Sequence, residues 1–532
     1  MTLHNSIEFI NSHTYDGFDF QKSIVGKRHF LERLRTHATT SPERTFVTHI
    51  DPTGHSDVLT YEELWSASLA LGAWLLRNKV AKPDDIVAIL VQNDVASIVM
   101  FFGALQAGFS LLLLNPKDPP RRSKEIIDSV SACRLILPHS LEFDLGDFPT
   151  TTLPYYKNLE REPEQRLEPS FNLYFATSGS TASSKIVEQS QYNAIVNAEA
   201  LIRHHSLKES DTILGCLPIH HVNGLHFTIL ASLAAGAHTV LMQQFNPTLY
   251  LKVWMAYKPR IASVVPSILD IIFCILEKDL IPPNFDYFVS AAAPMRKETC
   301  LKAWRTFGIK IMQGYGLTET TNFSATLPTN LSDESYENVM LKGDLPSIGV
   351  ALFGNEMGVF DKDGRQLKDG EVGEICIRGH NVMTGYYQNA QSTLTSLRNG
   401  WFHTQDLGYT RFDELSGQTF YYISGREKNI AKVFGIAVSL EEMERYITNH
   451  PNTKDAACAA IKNTFMGEEV IVLIDLKEKM LWDEGAMKVY LEKCLPREVI
   501  PQKFISIDSI PRTATGKILR PEVLRLVTEA IS

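Results

Sequence analysis

The chain has 532 residues, 44% of them hydrophobic and 21% charged, with a formal net charge of −9. That length implies three or four folding units and room for a sizeable core, while the acidic balance and the lack of a long basic run argue against a nucleic-acid partner or a polybasic membrane anchor. The seven cysteines, at positions 133, 216, 274, 300, 376, 458 and 494, are widely spaced and form no C-x-x-C pair, which fits buried thiols in a reducing cytoplasm better than a disulfide framework or a zinc site.

The first residues, "MTLHNSIEFINSH", have neither an apolar core nor a cleavage pattern, so no signal peptide is expected. The stretch from Val95 to Leu114 is long enough to span a bilayer. Gly103, Gln106, Gly108 and Ser110 interrupt it, and a helix followed by a core strand is the better reading. From about residue 60 to 320, short β-branched runs such as "DIVAILVQN", "DTILGCLP", "RIASVVP" and "DYFVSAAA" alternate with amphipathic stretches such as "TLYLKVWMAYK". Strand then helix, repeated, predicts parallel sheets covered by helices, with ligands at the carboxyl edge of the strands.

Beyond Leu327 the texture changes. Asp-Gly pairs between strand-like runs in "EMGVFDKDGRQLKDGEVGEICIRG" predict antiparallel hairpins and a small β-barrel-like part. The tail after "YYISGREKN" carries its own helices and strands and is long enough for a small α+β domain. The expected division is 1–424, a joint at 425–428 beginning at Gly425, and 429–532.

Several segments carry chemistry. "TSGSTASSK", Thr177 to Lys185, follows a buried strand, and its hydroxyls and backbone N–H groups suit an anion. The competing reading is a surface turn. "QGYGLTETT" offers the aromatic face of Tyr315, the Thr318 hydroxyl and the Glu319 carboxylate, a set able to stack a base, touch a phosphate and hold Mg²⁺; a helix N-cap at Thr318 is the alternative. "GWFHTQDLGY" places Asp406 to meet a ribose diol, with Arg426 following in "SGREKNIAK". In "PRTATGKILR", Lys517 follows a glycine near the C-terminus. "PIHHVNGLH" holds His220, His221 and His226 without a metal-ligand partner cluster, so a loop histidine over a pocket is expected rather than zinc.

Together, and in this order, "TSGSTASSK", "PIHHVNGL", "SAAAP", "QGYGLTET", "GWFHTQDLG", "GREKNIAK" and "PRTATGKILR" resemble the adenylate-forming enzymes, which include acyl- and aryl-CoA synthetases, peptide-synthetase adenylation domains and firefly luciferase. The resemblance runs from about residue 30 to the C-terminus and is nearest to an acyl-CoA synthetase. It implies an α/β fold with a large N-terminal domain and a small C-terminal domain that rotates between two half-reactions. A carboxylate and Mg-ATP give an acyl-adenylate and pyrophosphate, then the thiol of CoA takes the acyl group and AMP leaves. It implies that Thr177, Ser178, Gly179, Ser180 and Thr181, with Lys185, wrap the outer phosphates. His221 would sit over the carboxylate. Ala292, Ala293, Tyr315 and Gly316 would surround adenine. Thr318 would touch the α-phosphate, Glu319 would hold Mg²⁺, and Asp406 and Arg426 would serve the ribose. Lys428 marks the swing point, Lys432 and Gly435 face the thiol path, and Lys517 bridges the carboxylate and the α-phosphate.

The chain departs from the family pattern at Ala182, Ser184 and Ile186, where Gly, Pro and Gly are usual, and at Gln405, where Gly is usual. The missing glycine at 182 predicts a stiffer loop. Two alternatives accompany this reading: loading of an acyl group onto a carrier-protein phosphopantetheine, and a non-catalytic sensor of a nucleotide or acyl ligand. The segments "HHVNGLHFTIL" and "SVVPSILDII" are mostly apolar and predict a pocket for an acyl or aryl tail.

Overall fold

A computed structural model describes residues 6–26, 29–160, 171–177, 185–434, 436–463, 466–478, 482–513 and 516–531. The chain forms two compact units, one of residues 1–357 and 377–402, the other of 358–376 and 403–532. The 425–428 segment lies inside the second.

Two large sheets build the first unit. In one, six strands run parallel in the order Lys310–Tyr315, Tyr287–Ser290, Ile261–Val264, Thr212–Gly215, His238–Met242 and Thr45–Ile50. In the other, Ile86–Leu90, Ser110–Leu114, Leu135–Leu137 and Asn172–Ala176 belong to a parallel set, and Ile186–Ser190 joins Asn172–Ala176 antiparallel. These strands read as continuous apolar runs because helices cover both faces; all five residues of Ser110–Leu114 are buried.

Val95–Gln106 is a helix, capped by the Asp94 carboxylate on Ser97 N–H, and Ser110–Leu114 is a strand. Helix Tyr61–Arg77 packs closely on it: a Cβ at Gly103 would lie 2.7 Å from Leu71 Cδ2, and one at Gly72 the same distance from Gln106 Cβ. Among the described residues, no helix is long and apolar enough to cross a membrane.

In the second unit, residues 406–413 of strand Trp401–Asp413 pair with Gln418–Arg426 in a long antiparallel hairpin. Further on, the hairpin Thr453–Asn463/Gly467–Leu476 shows strict period-2 sorting. Cys458, Val470, Val472 and Ile474 face helix Leu440–Thr448, whereas Ala457, Ala459, Ile471 and Leu473 face helix Arg520–Ile531. The seven cysteines form no disulfide.

Candidate active site

Parallel pairing sends four neighbouring strands of the nine-stranded sheet out at one edge. Thr212–Gly215 leads to the histidine segment, Ile261–Val264 to Pro266, Tyr287–Ser290 to Ala292 and Ala293, and Lys310–Tyr315 to Gly316–Thr321. The carboxyl edge of an open α/β sheet is where such folds bind ligands.

The last of these exits is the most constrained. Tyr315 is buried at the strand end. Gly316 admits no side chain, since a Cβ would stand 1.6 Å from the Asn322 carbonyl oxygen. Thr318–Thr320 makes one 3₁₀ turn, in which Leu317 N–H donates to Thr320 Oγ1 at 3.0 Å, so Thr318 is not a helix cap. Thr321 then takes φ 68°, ψ −55°, a costly conformation for a β-branched residue. Two contacts hold Thr321, its Oγ1 donating to the Asn381 carbonyl and Gln189 Nε2 donating to its carbonyl, and Ser324 N–H closes the turn by donating to the Tyr315 carbonyl. Ala292 is also left-handed, at φ 73°.

Glu319 is fixed at both ends. Its carbonyl accepts Met383 N–H at 2.8 Å, and its carboxylate Oε1 accepts the Tyr386 hydroxyl at 3.0 Å. Burial, with the Glu319 charge beside it, drives the Tyr386 phenol well above its ordinary value, so it stays a donor. The Lys185 ammonium lies 4.5 Å from the Tyr386 ring centroid. The structure thereby joins Lys185 and Glu319 through Tyr386, a residue the sequence reasoning missed. Thr177 N–H donates to the Lys185 carbonyl, closing the base of the Ser/Thr-rich loop; Ser178, Gly179, Ser180 and Thr181, with Ala182 and Ser184, lie outside the described residues. A hard, half-buried carboxylate with one oxygen engaged by a phenol suits Mg²⁺, which keeps most of its shell as water and phosphate oxygens.

The histidine segment differs from its expected form. His221 is exposed in the turn after Pro218, its ring 4.4 Å from that of His220. Residues Asn223–Ala231 form a π-helix instead of a loop, and His226 is fully buried within it. Burial pushes the His226 imidazole down to about 3, so it is neutral. A second missed residue, buried Asn93, pins the approach to the turn: it accepts Ile219 N–H at 2.9 Å and donates to the carbonyls of Leu217 and Met242.

In the second unit, Asp406 is buried and pairs across the hairpin with Arg426; Arg426 Nε stands 2.6 Å from Asp406 Oδ1. The preceding Gln405 has φ 62°, the conformation for which glycine is the usual choice. Glu374 holds this stretch of strand, taking Gln405 N–H on Oε1 at 2.8 Å and facing His403 Nδ1 with Oε2 at 2.6 Å. Thr404 Oγ1 accepts Asp406 N–H. Lys428 lies in the 3₁₀ turn Glu427–Asn429. Lys432 projects from strand Ile430–Val433, exposed, its N–H donating to Glu468; Gly435 lies outside the described residues. Lys517 is exposed on a tight loop in which Thr513 N–H donates to the Lys517 carbonyl. Arg512 anchors that loop, donating to both Asp455 oxygens at 2.9 and 2.8 Å and to the Gly516 carbonyl at 2.7 Å.

Comparison with known proteins places the chain in a family. Residues 34–387 match the AMP-binding enzyme family. The chain is 29% identical to a 2-succinylbenzoate–CoA ligase of Geobacillus kaustophilus, over 93% of this chain and 97% of that one. It is 30% identical to a probable 4-coumarate–CoA ligase of Dictyostelium discoideum, over 96% and 97%. The fold superposes on o-succinylbenzoate coenzyme A synthetase from Bacillus subtilis in complex with AMP, with a TM-score of 0.80 and 25% identity, covering 92% of this chain and 97% of that one. The chain belongs to the AMP-binding enzyme family, whose acid–thiol ligases activate a carboxylate as its adenylate before a thiol takes the acyl group.

Proposed function

We propose that the strand-end turn 315–321 and the Asp406–Arg426 pair serve Mg-ATP in an acid–thiol ligase that forms an acyl-adenylate and passes the acyl group to CoA. The observation that carries this reading is the Lys185–Tyr386–Glu319 arrangement at the carboxyl edge of the parallel sheet.

A carboxylate is a poor electrophile until one oxygen becomes part of a good leaving group. Its attack on the α-phosphate gathers negative charge, so fixed cations and donors stabilise the transition state. In this reading Thr318 donates to the α-phosphate and Glu319 holds Mg²⁺, which neutralises phosphate charge. Lys185 and the 177–181 loop meet the outer phosphates, with Tyr315, Gly316, Ala292 and Ala293 around adenine. Asp406, oriented by Arg426, accepts from the ribose hydroxyls. His221 stands over the carboxylate. Lys517 bridges the carboxylate and the α-phosphate. Rotation about 425–428, centred on Lys428, then exchanges Lys517 for Lys432 and Gly435 at the thiol path.

The relatives favour an aryl or short acid, and 2-succinylbenzoate and 4-coumarate head the panel to be tested. CoA is the proposed acceptor; a carrier-protein phosphopantetheine is separated from it by comparing thioester yield with each. We place the enzyme in the cytoplasm, on the support of seven cysteines without a disulfide. Pyrophosphate release dependent on one carboxylate, followed by a CoA thioester, tests the proposal. Nucleotide binding without pyrophosphate release across the whole panel would instead favour a sensor.

A further inference from the structure

Gln189 lies on strand Ile186–Ser190, fully buried, between the π-helix Asn223–Ala231 and the turn Thr318–Thr321. Its side-chain amide is used at both ends. Nε2 donates to the Thr318 carbonyl at 2.8 Å and to the Thr321 carbonyl at 3.2 Å. Oε1 lies 2.9 Å from His226 Nε2. Because two carbonyls can only accept, the amide nitrogen must face them, and the amide oxygen must face the imidazole. His226 therefore donates from Nε2–H. Its Nδ1, buried and without a hydrogen-bond partner, is the bare acceptor of the neutral ring. The ring sits beside Phe175, at 6.2 Å between centroids.

This chain of bonds selects one geometry for the turn. Thr321 is strained, and the two carbonyls taken by Gln189 bracket Glu319 on either side. Without Gln189, both carbonyls would face a buried site unpaired, and the turn would relax toward a less strained conformation. We propose that Gln189 is a positioning residue for Mg-ATP, locked by neutral His226 and aiming Thr318 and Glu319. This inference rests on the assignment of Mg-ATP to the 318–319 turn.

The test titrates the full-length enzyme with Mg-ATP and, separately, with adenosine, which has no phosphate and no metal. Gln189→Met, similar in length but without donors, should weaken Mg-ATP binding roughly tenfold or more and leave adenosine binding within about twofold. His226→Leu should move the same way by a smaller factor. His226→Gln, which restores an N–H donor toward Gln189, should recover most of the loss. Thermal melts establish that each variant is folded; if Gln189→Met is not, the His226→Leu and His226→Gln pair decides. Parental Mg-ATP affinity in folded Gln189→Met, or equal losses for Mg-ATP and adenosine, would overturn the inference. Glu319→Gln is the reference. If it weakens Mg-ATP while Gln189→Met does not, the positioning role alone fails. If Glu319→Gln binds Mg-ATP like the parent, the assignment of the turn fails and this inference with it.

Discussion

The Tyr386 hydroxyl donates to the Glu319 carboxylate at 3.0 Å, while the Lys185 ammonium lies 4.5 Å from the same ring's centroid. Tyr386 thus orients the proposed metal ligand and supports Lys185, the lysine proposed to meet the outer phosphates. Tyr386→Phe keeps the ring and loses the donor. It should raise the Mg²⁺ concentration needed for half-maximal pyrophosphate release by about three- to tenfold, from the loss of a bond to a charged group. Glu319→Gln should have the larger effect, since an amide is a poorer ligand for a hard cation. Mg²⁺ titrations of both variants check this.

Gly316 stands where a Cβ would meet the Asn322 carbonyl oxygen at 1.6 Å, a collision with backbone. Gly316→Ala should displace the 315–322 turn, lower the melting temperature and reduce adenylation at least tenfold. A crystal structure and pyrophosphate release measured on one preparation check both effects together.

Asp406 is buried with Arg426 as its ion-pair partner. Asp406→Ala should raise the KM for ATP, because the ribose loses a charged acceptor worth roughly 1.5–3 kcal/mol. Arg426→Ala should do so more weakly, since the carboxylate remains. Initial rates across an ATP series distinguish the two.

Within the small unit, Glu444 is buried between Arg520 and Cys458 N–H. Burial pushes its carboxyl up to about 7 from 4.5, despite Arg520. A carboxyl with a higher value in the folded chain binds its proton more tightly there. Stability from this group is therefore fully present below about pH 4.5 and is lost as pH rises through about 7, by roughly 2–4 kcal/mol in all. Glu444→Gln should remove this slope, at the cost of leaving Arg520 with Glu441 as its carboxylate partner and the Cys458 carbonyl as an acceptor. Denaturant melts between pH 5 and 8, compared between parent and variant, measure it.

Much of the architecture was legible because it rests on local pattern. The β-branched runs became the parallel strands, whereas the period-2 sorting of the 453–476 hairpin is hidden in a continuous apolar run, because both of its faces are buried. Asp406, Glu319 and Lys517 are proposed as site residues on the resemblance alone. What stayed hidden depends on non-local contacts. Nothing local marks Gln189, Asn93, Tyr386 or Glu374, whose partners lie far along the chain. The π-helix at Asn223–Ala231 was read as a loop because "HHVNGLH" carries a glycine and polar residues. Gly224 is there for close approach instead: a Cβ would lie 2.3 Å from the Pro218 carbonyl oxygen.

Lys517 and Lys432 are assigned to different steps. Lys517→Ala should slow acyl-adenylate formation by about 10²–10³, the usual loss when a preorganised charge-stabilising group is removed, yet still convert supplied acyl-adenylate to thioester. Lys432→Ala should keep carboxylate-dependent pyrophosphate exchange and lose thioester yield. Proline at Lys428 should behave like Lys432→Ala, because a fixed φ resists rotation. Equal losses in both steps for the two alanine variants would count against rotation about 425–428.

The central claim is one chemical sequence: carboxylate activation by ATP, then transfer to CoA. The direct measurement incubates the full chain with Mg-ATP, CoA and each acid of the carboxylate panel, and quantifies pyrophosphate, AMP and thioester together. The account predicts that at least one acid yields all three in equal amounts, with pyrophosphate still released when CoA is withheld. Phosphate and ADP in place of pyrophosphate and AMP, or no carboxylate-dependent product with any acid, would contradict it.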